Sequence, residues 1–352
     1  MKILWMEPVM KQMIWGGNRL RTEFGYEIPG EHTGECWAIS AHPTGDCRVK
    51  IISGIQPQRK QPLKELQEQQ EQAERGNLPE DVSLLSELWR EHRELFGGME
   101  GEVFPLLTKI IDATADLSIQ VHPDNEYARE HENGSLGKTE CWYILGCDPG
   151  TTIIIGHHAR TKEELRELVE AGRFQELIRE IPVHPGDFFQ INPGCVHAIK
   201  GGTLLLETQQ SSDITYRLYD YGRLQDGKPR ELHLEKSMDV IICPAENSPD
   251  EKEHAGAEAA RRYIRYQTED GSFVEHLTTC PYFTVERIGV KGKLSLTEIR
   301  ETGSVKFDLF SVIAGEGSLG GIVLKKGDHF IVPYGCGEEE FLGEMELIHA
   351  TP

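Results

Sequence analysis

The stretch LSIQVHPDNEYA, residues 117–128, alternates apolar and polar residues as far as His122, the period of a strand with one buried face. Its polar set is Ser118, Gln120 and His122, with no lysine or glutamate among them. A hydroxyl, an amide and an imidazole at ~7 Å spacing along one side of a strand suit a ligand set better than a wet face. A second polar interruption lies in GKTECWYIL, residues 137–145, where Lys138, Glu140 and Trp142 share a face and Thr139, Cys141 and Tyr143 take the other. A third is His197, just past the Pro193–Gly194 turn. Two imidazoles, a carboxylate and an amide oxygen make a donor set for a divalent cation. Histidine with glutamate suits zinc, with glutamine the unusual member. One ligand carboxylate leaves such a centre at about +1, a charge that favours an anionic oxygen of substrate or intermediate. Each residue also has an ordinary reading: His122 before proline suits a turn, His197 can cap a hairpin, and Glu140 can be a solvated strand charge.

The segment QQSSDITYRLYDYGR, residues 209–223, sets Arg217 among aromatics after a Ser/Asp turn. Arginine grips phosphate or carboxylate with two donors at once, and Lys138 would add a point charge. Glu207 ends the apolar run GTLLLETQ, where a carboxylate is costly unless employed. The ordinary alternative for Arg217 is an ion pair with Asp213 or Asp220.

These side chains must be positioned by strands. Short apolar runs separated by Gly and Pro (TTIIIGHH, FTVERIGV, KLSLTEI, FDLFSVIAG, GIVLKKGDHFIVP) predict a mainly β protein, a sandwich or jelly roll with helical insertions. Helices are expected at about 62–96, broken at Pro79, and at 161–180, opened by Thr161 three residues before Glu164 in a capping-box pattern. The charged, Pro-containing stretch 244–260 reads as a linker or exposed loop, which divides the chain into 1–243 and 261–352. An internal echo crosses that division: GDFFQINPGCVH at 186–197 against GDHFIVPYGCGE at 327–338. It reads either as two similar hairpins or as two homologous domains, the second with Glu338 where the first has His197 and therefore without a metal.

The 352 residues suffice for two domains with a sizeable core. A formal net charge of −21 disfavours nucleic acid and anionic membrane as partners, while a small anionic substrate remains compatible with a local cationic pocket. No apolar run approaches the ~18 residues of a membrane span. Glu7 and Pro8 interrupt the N-terminus where a signal peptide needs apolar continuity, and the eight cysteines form no C-x-x-C pair. A cytoplasmic protein with reduced thiols is expected.

QVHPDN, GKTECWYIL, PGCVHAI and SDITYRLYDYGR, together with IWGG, GECWAIS, LLTKIIDA and GDHFIVPYGCGE, resemble type I mannose-6-phosphate isomerases, the shorter bacterial form above all. The likeness runs along nearly the whole chain in the family's order and is weakest over 59–80 and 244–260. It implies two cupin-like jelly-roll β-barrels. The first would hold one Zn2+ through Gln120, His122, Glu140 and His197, with Arg217 as the active-site arginine and Ser118, Lys138 and Glu207 near the substrate. It also implies interconversion of mannose 6-phosphate and fructose 6-phosphate through an enediol.

Two rivals share the residues. His122, Glu140 and His197 also compose the two-histidine, one-carboxylate triad of non-haem Fe(II) oxygenases, against which Gln120 counts as a fourth protein ligand closing an open position. A non-catalytic sugar-binding cupin is the other, because such barrels host many functions.

Overall fold

The computed structural model describes residues 1–54, 64, 83–225, 227–245, 262–300 and 306–352. Most of the expected 244–260 linker and, residue 64 apart, positions 62–82 of the expected 62–96 helix fall outside them.

Two facing sheets build the first barrel. The larger runs Phe188–Ile191, Glu140–Cys147, Thr203–Gln210, Leu106–Asp112, Thr33–Ile39, Val9–Gly17 in spatial order. The smaller runs Ile178–Pro182, Thr152–His157, His197–Ala198, Ile119–Val121, Tyr216–Tyr219. Their inner faces meet over Trp142, Ile144 and Leu205 from the first and Ile153, Ile155 and Ile199 nearby, all buried in one cluster. This is the jelly-roll layering that the alternating strands predict.

The outer face of the smaller sheet is covered by the helix Lys162–Glu170, whose Leu165, Leu168 and Val169 pack on Ile119, Val121 and Ile154. Thr161 Oγ1 accepts the Glu164 amide hydrogen at 3.2 Å. The Glu164 carboxylate reaches back to the Arg160 amide at 2.8 Å, one residue before the cap. The expected helix at 161–180 is shorter than its pattern. Gly172 turns left-handed with φ +66°, one short turn comes next at Phe174–Leu177, and Ile178–Pro182 pairs as a strand with Thr152–His157. Backbone partners on an open sheet edge outweigh the weak local preference of Ile-Arg-Glu-Ile for a helix. Of the expected 62–96 helix, the described part forms Leu85–Glu91 and a 3₁₀ turn at Arg93–Phe96. They deliver Trp89 and Phe96 to an aromatic knot with Phe104 and Phe307 between the barrels, Phe96 and Phe307 having centroids 5.1 Å apart.

The second sheet does not respect chain order. Thr284–Ser295, Glu340–Thr351, Asp308–Leu319 and His329–Val332 continue into Lys2–Glu7 and Arg48–Ser53, with Leu4 opposite Ile331 and Trp5 opposite Phe330. The N-terminal strand is therefore shared with the C-terminal half. The sheet wraps a core that includes Val312, Phe310, Phe330, Phe341 and Leu347.

The internal echo corresponds to two hairpins of one shape. Gly186 and Gly327 open them at φ +89° and +95°, and Gly194 and Gly335 turn at φ +82° and +74°, conformations that glycine tolerates. Past the second turn the two hairpins diverge: His197 is fully buried, whereas Glu338 is exposed.

Inside the second barrel a charge network stands instead. His349 is bonded through Nδ1 to Glu286 at 3.1 Å and through Nε2 to Asp308 at 3.0 Å. Arg265 Nε donates to Glu286 at 2.7 Å and Arg300 Nε to Asp308 at 2.8 Å. Burial favours the neutral ring, but the two carboxylates outweigh it and hold the His349 pKa up at about 9. A folded pKa above the unfolded ~6.5 means that this contribution to stability is complete below ~6.5 and is lost as pH rises through about 9. Denaturant melts across that window should show an alkaline decline in the wild type. His349→Phe should lose about 1–3 kcal/mol at neutral pH, because two buried carboxylates lose a shared hydrogen-bonded cation while keeping Arg265 and Arg300, and should lack the decline.

Candidate metal centre

Strand register assembles the site. Gln120 lies opposite His197 on one side and Arg217 on the other, and residues opposed across antiparallel strands project to the same face. His197, Gln120 and Arg217 thus form a row on the smaller sheet. On the larger sheet Trp142 is opposite Glu207, Glu207 opposite Lys109, and Lys109 opposite Trp37. Glu140 stands two residues before Trp142, on the same face.

The ligand atoms of His122, Glu140 and His197 all lie within 4.8 Å of one another, and all three side chains are buried. Glu140 Oε2 is 3.5 Å from His122 Nε2, and Oε1 is 3.4 Å from His197 Nε2. His197 Nδ1 bonds to the Cys195 carbonyl at 2.9 Å, so its proton belongs on Nδ1 and Nε2 presents a lone pair to the cluster. Gln120 Nε2 is 3.2 Å from that same His197 nitrogen, while Ser118 Oγ donates to Gln120 Oε1 at 3.4 Å. Turning the amide over would aim its oxygen at the cluster and its NH2 at the Ser118 hydroxyl oxygen. Beyond ionic contacts, both nitrogens of His122 and both oxygens of Glu140 are buried without a hydrogen-bond partner. Native interiors rarely leave so many groups unsatisfied together, and a divalent cation would take one nitrogen of His122 together with the Glu140 carboxylate. The donor set fits a metal.

The protonation states agree. Burial, with the Lys138 charge behind it, pushes His122 down to about 3, and burial lowers His197 as well; both imidazoles are in the neutral form that a metal would take. Burial opposes the Glu140 charge, but the Lys138 ammonium outweighs it and holds the carboxyl well below its ordinary range. Lys138 Nζ sits 2.8 Å from Glu140 Oε2 and 3.9 Å from Glu207 Oε1. Burial disfavours its charge, yet the two carboxylates prevail and raise it to about 12. Glu207 accepts the Trp142 indole N–H at 3.0 Å, and burial followed by the Glu140 charge raises its pKa.

Arg217 makes neither ion pair that its sequence neighbours offer. Asp220 is taken by Arg230, whose Nε donates to it at 2.7 Å, and by Arg223; Asp213 lies 3.6 Å from His42 Nε2. Arg217 Nε is buried with no hydrogen-bond partner, and burial with the nearby Arg230 charge lowers its pKa. A half-buried guanidinium with an unpaired Nε, in line with the Gln120 strand, is ready for an anion.

The structure therefore brings Ser118, Gln120, His122, Lys138, Glu140, His197 and Glu207 together, with Arg217 at the end of their row. Sequence reasoning missed Lys109 and Glu35. Lys109 Nζ lies 3.5 Å from Glu207 Oε1 and 5.0 Å from the Trp37 ring centroid, and Trp37 Nε1 donates to Glu35 at 2.6 Å. The signal was present: LLTKIID holds one lysine in seven buried residues. Three buried carboxylates, Glu35, Glu140 and Glu207, face two buried ammonium groups, Lys109 and Lys138. A divalent cation is what makes this pocket net positive.

Fold and site together define a two-barrel cupin with a candidate metal pocket in its first barrel. The model of the phosphomannose isomerase type I catalytic domain matches residues 3–86 and 80–143, and that of the mannose-6-phosphate isomerase cupin domain matches 274–352. The chain is 45% identical over 352 residues to a mannose-6-phosphate isomerase of Bacillus subtilis, covering 98% of this chain and 97% of the relative. It is 43% identical to one of Streptococcus mutans, over 98% and 96% of the two chains. The crystal structure of the Bacillus subtilis mannose 6-phosphate isomerase superposes with TM-score 0.84 at 40% identity over 100% of both chains. An Archaeoglobus fulgidus structure described as a putative mannosephosphate isomerase shares the fold with TM-score 0.69 at 20% identity, over 100% of this chain and 98% of that one. The chain belongs to the type I phosphomannose isomerase family.

Metal content tests the centre directly. Wild-type protein loaded with a divalent metal and dialysed should retain about one ion per chain. His122→Ala and Glu140→Gln should retain essentially none, because each removes a donor from a three- or four-ligand set. Full retention in either variant would remove that residue from the ligand set.

Proposed function

We propose that this chain interconverts mannose 6-phosphate and fructose 6-phosphate at a zinc ion held by Gln120, His122, Glu140 and His197. The observation that carries the reading is a buried set of neutral imidazoles and one carboxylate, left unsatisfied without a cation, beside an uncommitted arginine and two buried lysines. Full-length likeness to proteins named for this activity supports it. Moving the carbonyl from C1 to C2 of the sugar requires a proton to leave C2 and another to reach C1. Negative charge then spreads over the two adjacent oxygens of an enediol. A zinc ion bound here supplies Lewis-acid charge to those oxygens.

The chain's own residues do the rest. Lys138, anchored on Glu140, and Lys109, paired with Glu207, set two ammonium groups at one side of the pocket. Glu207, held by Trp142, fixes the position of Lys109 rather than neutralising it fully. Arg217 supplies a planar fork for the phosphate or for the developing oxyanion. Ser118 orients the Gln120 amide. Residues 1–243 carry the chemistry in this proposal, with 261–352 as a metal-free barrel that closes the pocket rim and 244–260 as their connection. No helix among the described residues is long and apolar enough to cross a membrane; the ligand in this proposal is a small sugar phosphate.

The deciding experiment is a coupled isomerase assay with mannose 6-phosphate before chelation, after it, and after zinc restoration. Activity should vanish and return. Protein that holds iron and consumes oxygen with a substrate belongs instead to the oxygenase reading, and ligand binding without turnover to the sugar-binding one.

Arg217→Lys should lower kcat/KM by about 100-fold or more with little change in thermal stability, since Arg217 has no internal ion pair to lose. Wild-type rates would reduce it to a bystander. Lys109→Met keeps the stem against Trp37 and removes the charge. It should reduce turnover by a similar factor, and unchanged kcat would exclude Lys109 from the reaction.

A further inference from the structure

Both candidate imidazole ligands lean on one turn. The backbone carbonyl of His122 accepts the Gly194 amide hydrogen at 2.9 Å, and the Cys195 carbonyl accepts the His197 Nδ1 proton at 2.9 Å. A turn of three residues, Pro193–Gly194–Cys195, thus positions one ligand through its main chain and the other through its ring. The turn is held from behind. Ile242 donates its amide hydrogen to the Gly194 carbonyl at 3.0 Å, and His157 Nε2 donates to the Ile242 carbonyl at 3.0 Å. His157 Nδ1 is buried without a partner, so the ring is neutral with its one proton committed to Ile242. Space is closed around the turn as well. Gly194 adopts φ +82°, and a methyl group there would meet Ile242 Cγ1 at 2.7 Å and the Val240 carbonyl at 2.8 Å.

We propose that His157 is a positioning residue for the metal centre, acting through Ile242 and the Pro193–Gly194–Cys195 turn to fix the geometry of His122 and His197. The proposal rests on the reading of those two histidines as metal ligands. It assigns to His157, which touches neither metal nor substrate, the last link of a continuous hydrogen-bonded chain: His157, Ile242, Gly194, His122. Outer-shell partners of this kind hold ligands in register, and their loss weakens metal affinity by about 10- to 100-fold. Because binding couplings are reciprocal, metal binding must in turn tighten the chain.

The test measures zinc affinity by chelator competition, with cobalt spectra as a geometric readout, in wild type, His157→Phe and His157→Gln. Phe fills the space without a donor; Gln restores an N–H at similar reach. The Phe variant should bind zinc about tenfold more weakly, with a distorted cobalt spectrum and turnover recovered by excess zinc. The Gln variant should stay within about twofold of wild type. Equal affinity in Phe and wild type overturns the relay alone. Wild-type protein that takes up neither zinc nor cobalt overturns the ligand reading and the relay with it. Should the Phe variant not fold, amide exchange in the wild type decides: zinc should slow exchange at Gly194 and Ile242, and equal rates with and without zinc overturn the proposal.

Discussion

Everything at the centre of this protein turns on a buried carboxylate whose one ammonium partner, Lys138, is shared with Glu207. Glu140 is ionised and fully buried, with a lysine at one oxygen and two imidazoles that burial keeps neutral. Neutral rings give a carboxylate no countercharge. Without a further cation they also leave their own lone pairs and donors unmatched, which a well-packed interior does not tolerate for nothing. The ligand cluster is thus a standing electrostatic demand, and the jelly roll around it is the device that keeps water from meeting the demand instead.

The surrounding residues are graded by how completely they are spent. Lys138 is held by Glu140 and Lys109 is paired with Glu207, so both present charge in fixed positions. Glu207 is pinned by Trp142. Arg217 alone among the pocket's described cations keeps a buried donor unpaired, because Asp220, its nearest sequence partner, is already held by Arg223 and Arg230. Preorganised donors of this kind need no rearrangement when an anion arrives, and their number explains how a chain with a net charge of −21 can still attract one.

The two barrels divide the same hairpin into different uses. In the first, the turn after Gly186 leads to a buried histidine at 197. In the second, the matching turn ends on the exposed Glu338, and the interior charge is settled internally by His349 between Glu286 and Asp308. A barrel interior lined with polar residues needs either a ligand or an internal salt-bridge network, and the His349 network is of the second kind.

The alternation of LSIQVHP, the polar interruptions at Glu140 and His197 and the lone arginine of TYRLYDYGR were legible from the chain by itself, because strand period and the cost of burying charge are local statements. So was the mainly β class. What the chain could not reveal depended on neighbours far away in sequence. Lys109 sat unremarked in an apolar strand until register set it opposite Glu207. Asp220 looked like a partner for Arg217 until Arg230 arrived to claim it. Residues 178–180 looked helical until a sheet edge offered them hydrogen bonds, and the first strand joined the last barrel across more than three hundred residues. Residue type and spacing determine which side chains face inward; only the closed fold determines which of them meet, since a side chain's charge state and freedom are set by whatever else has been packed beside it.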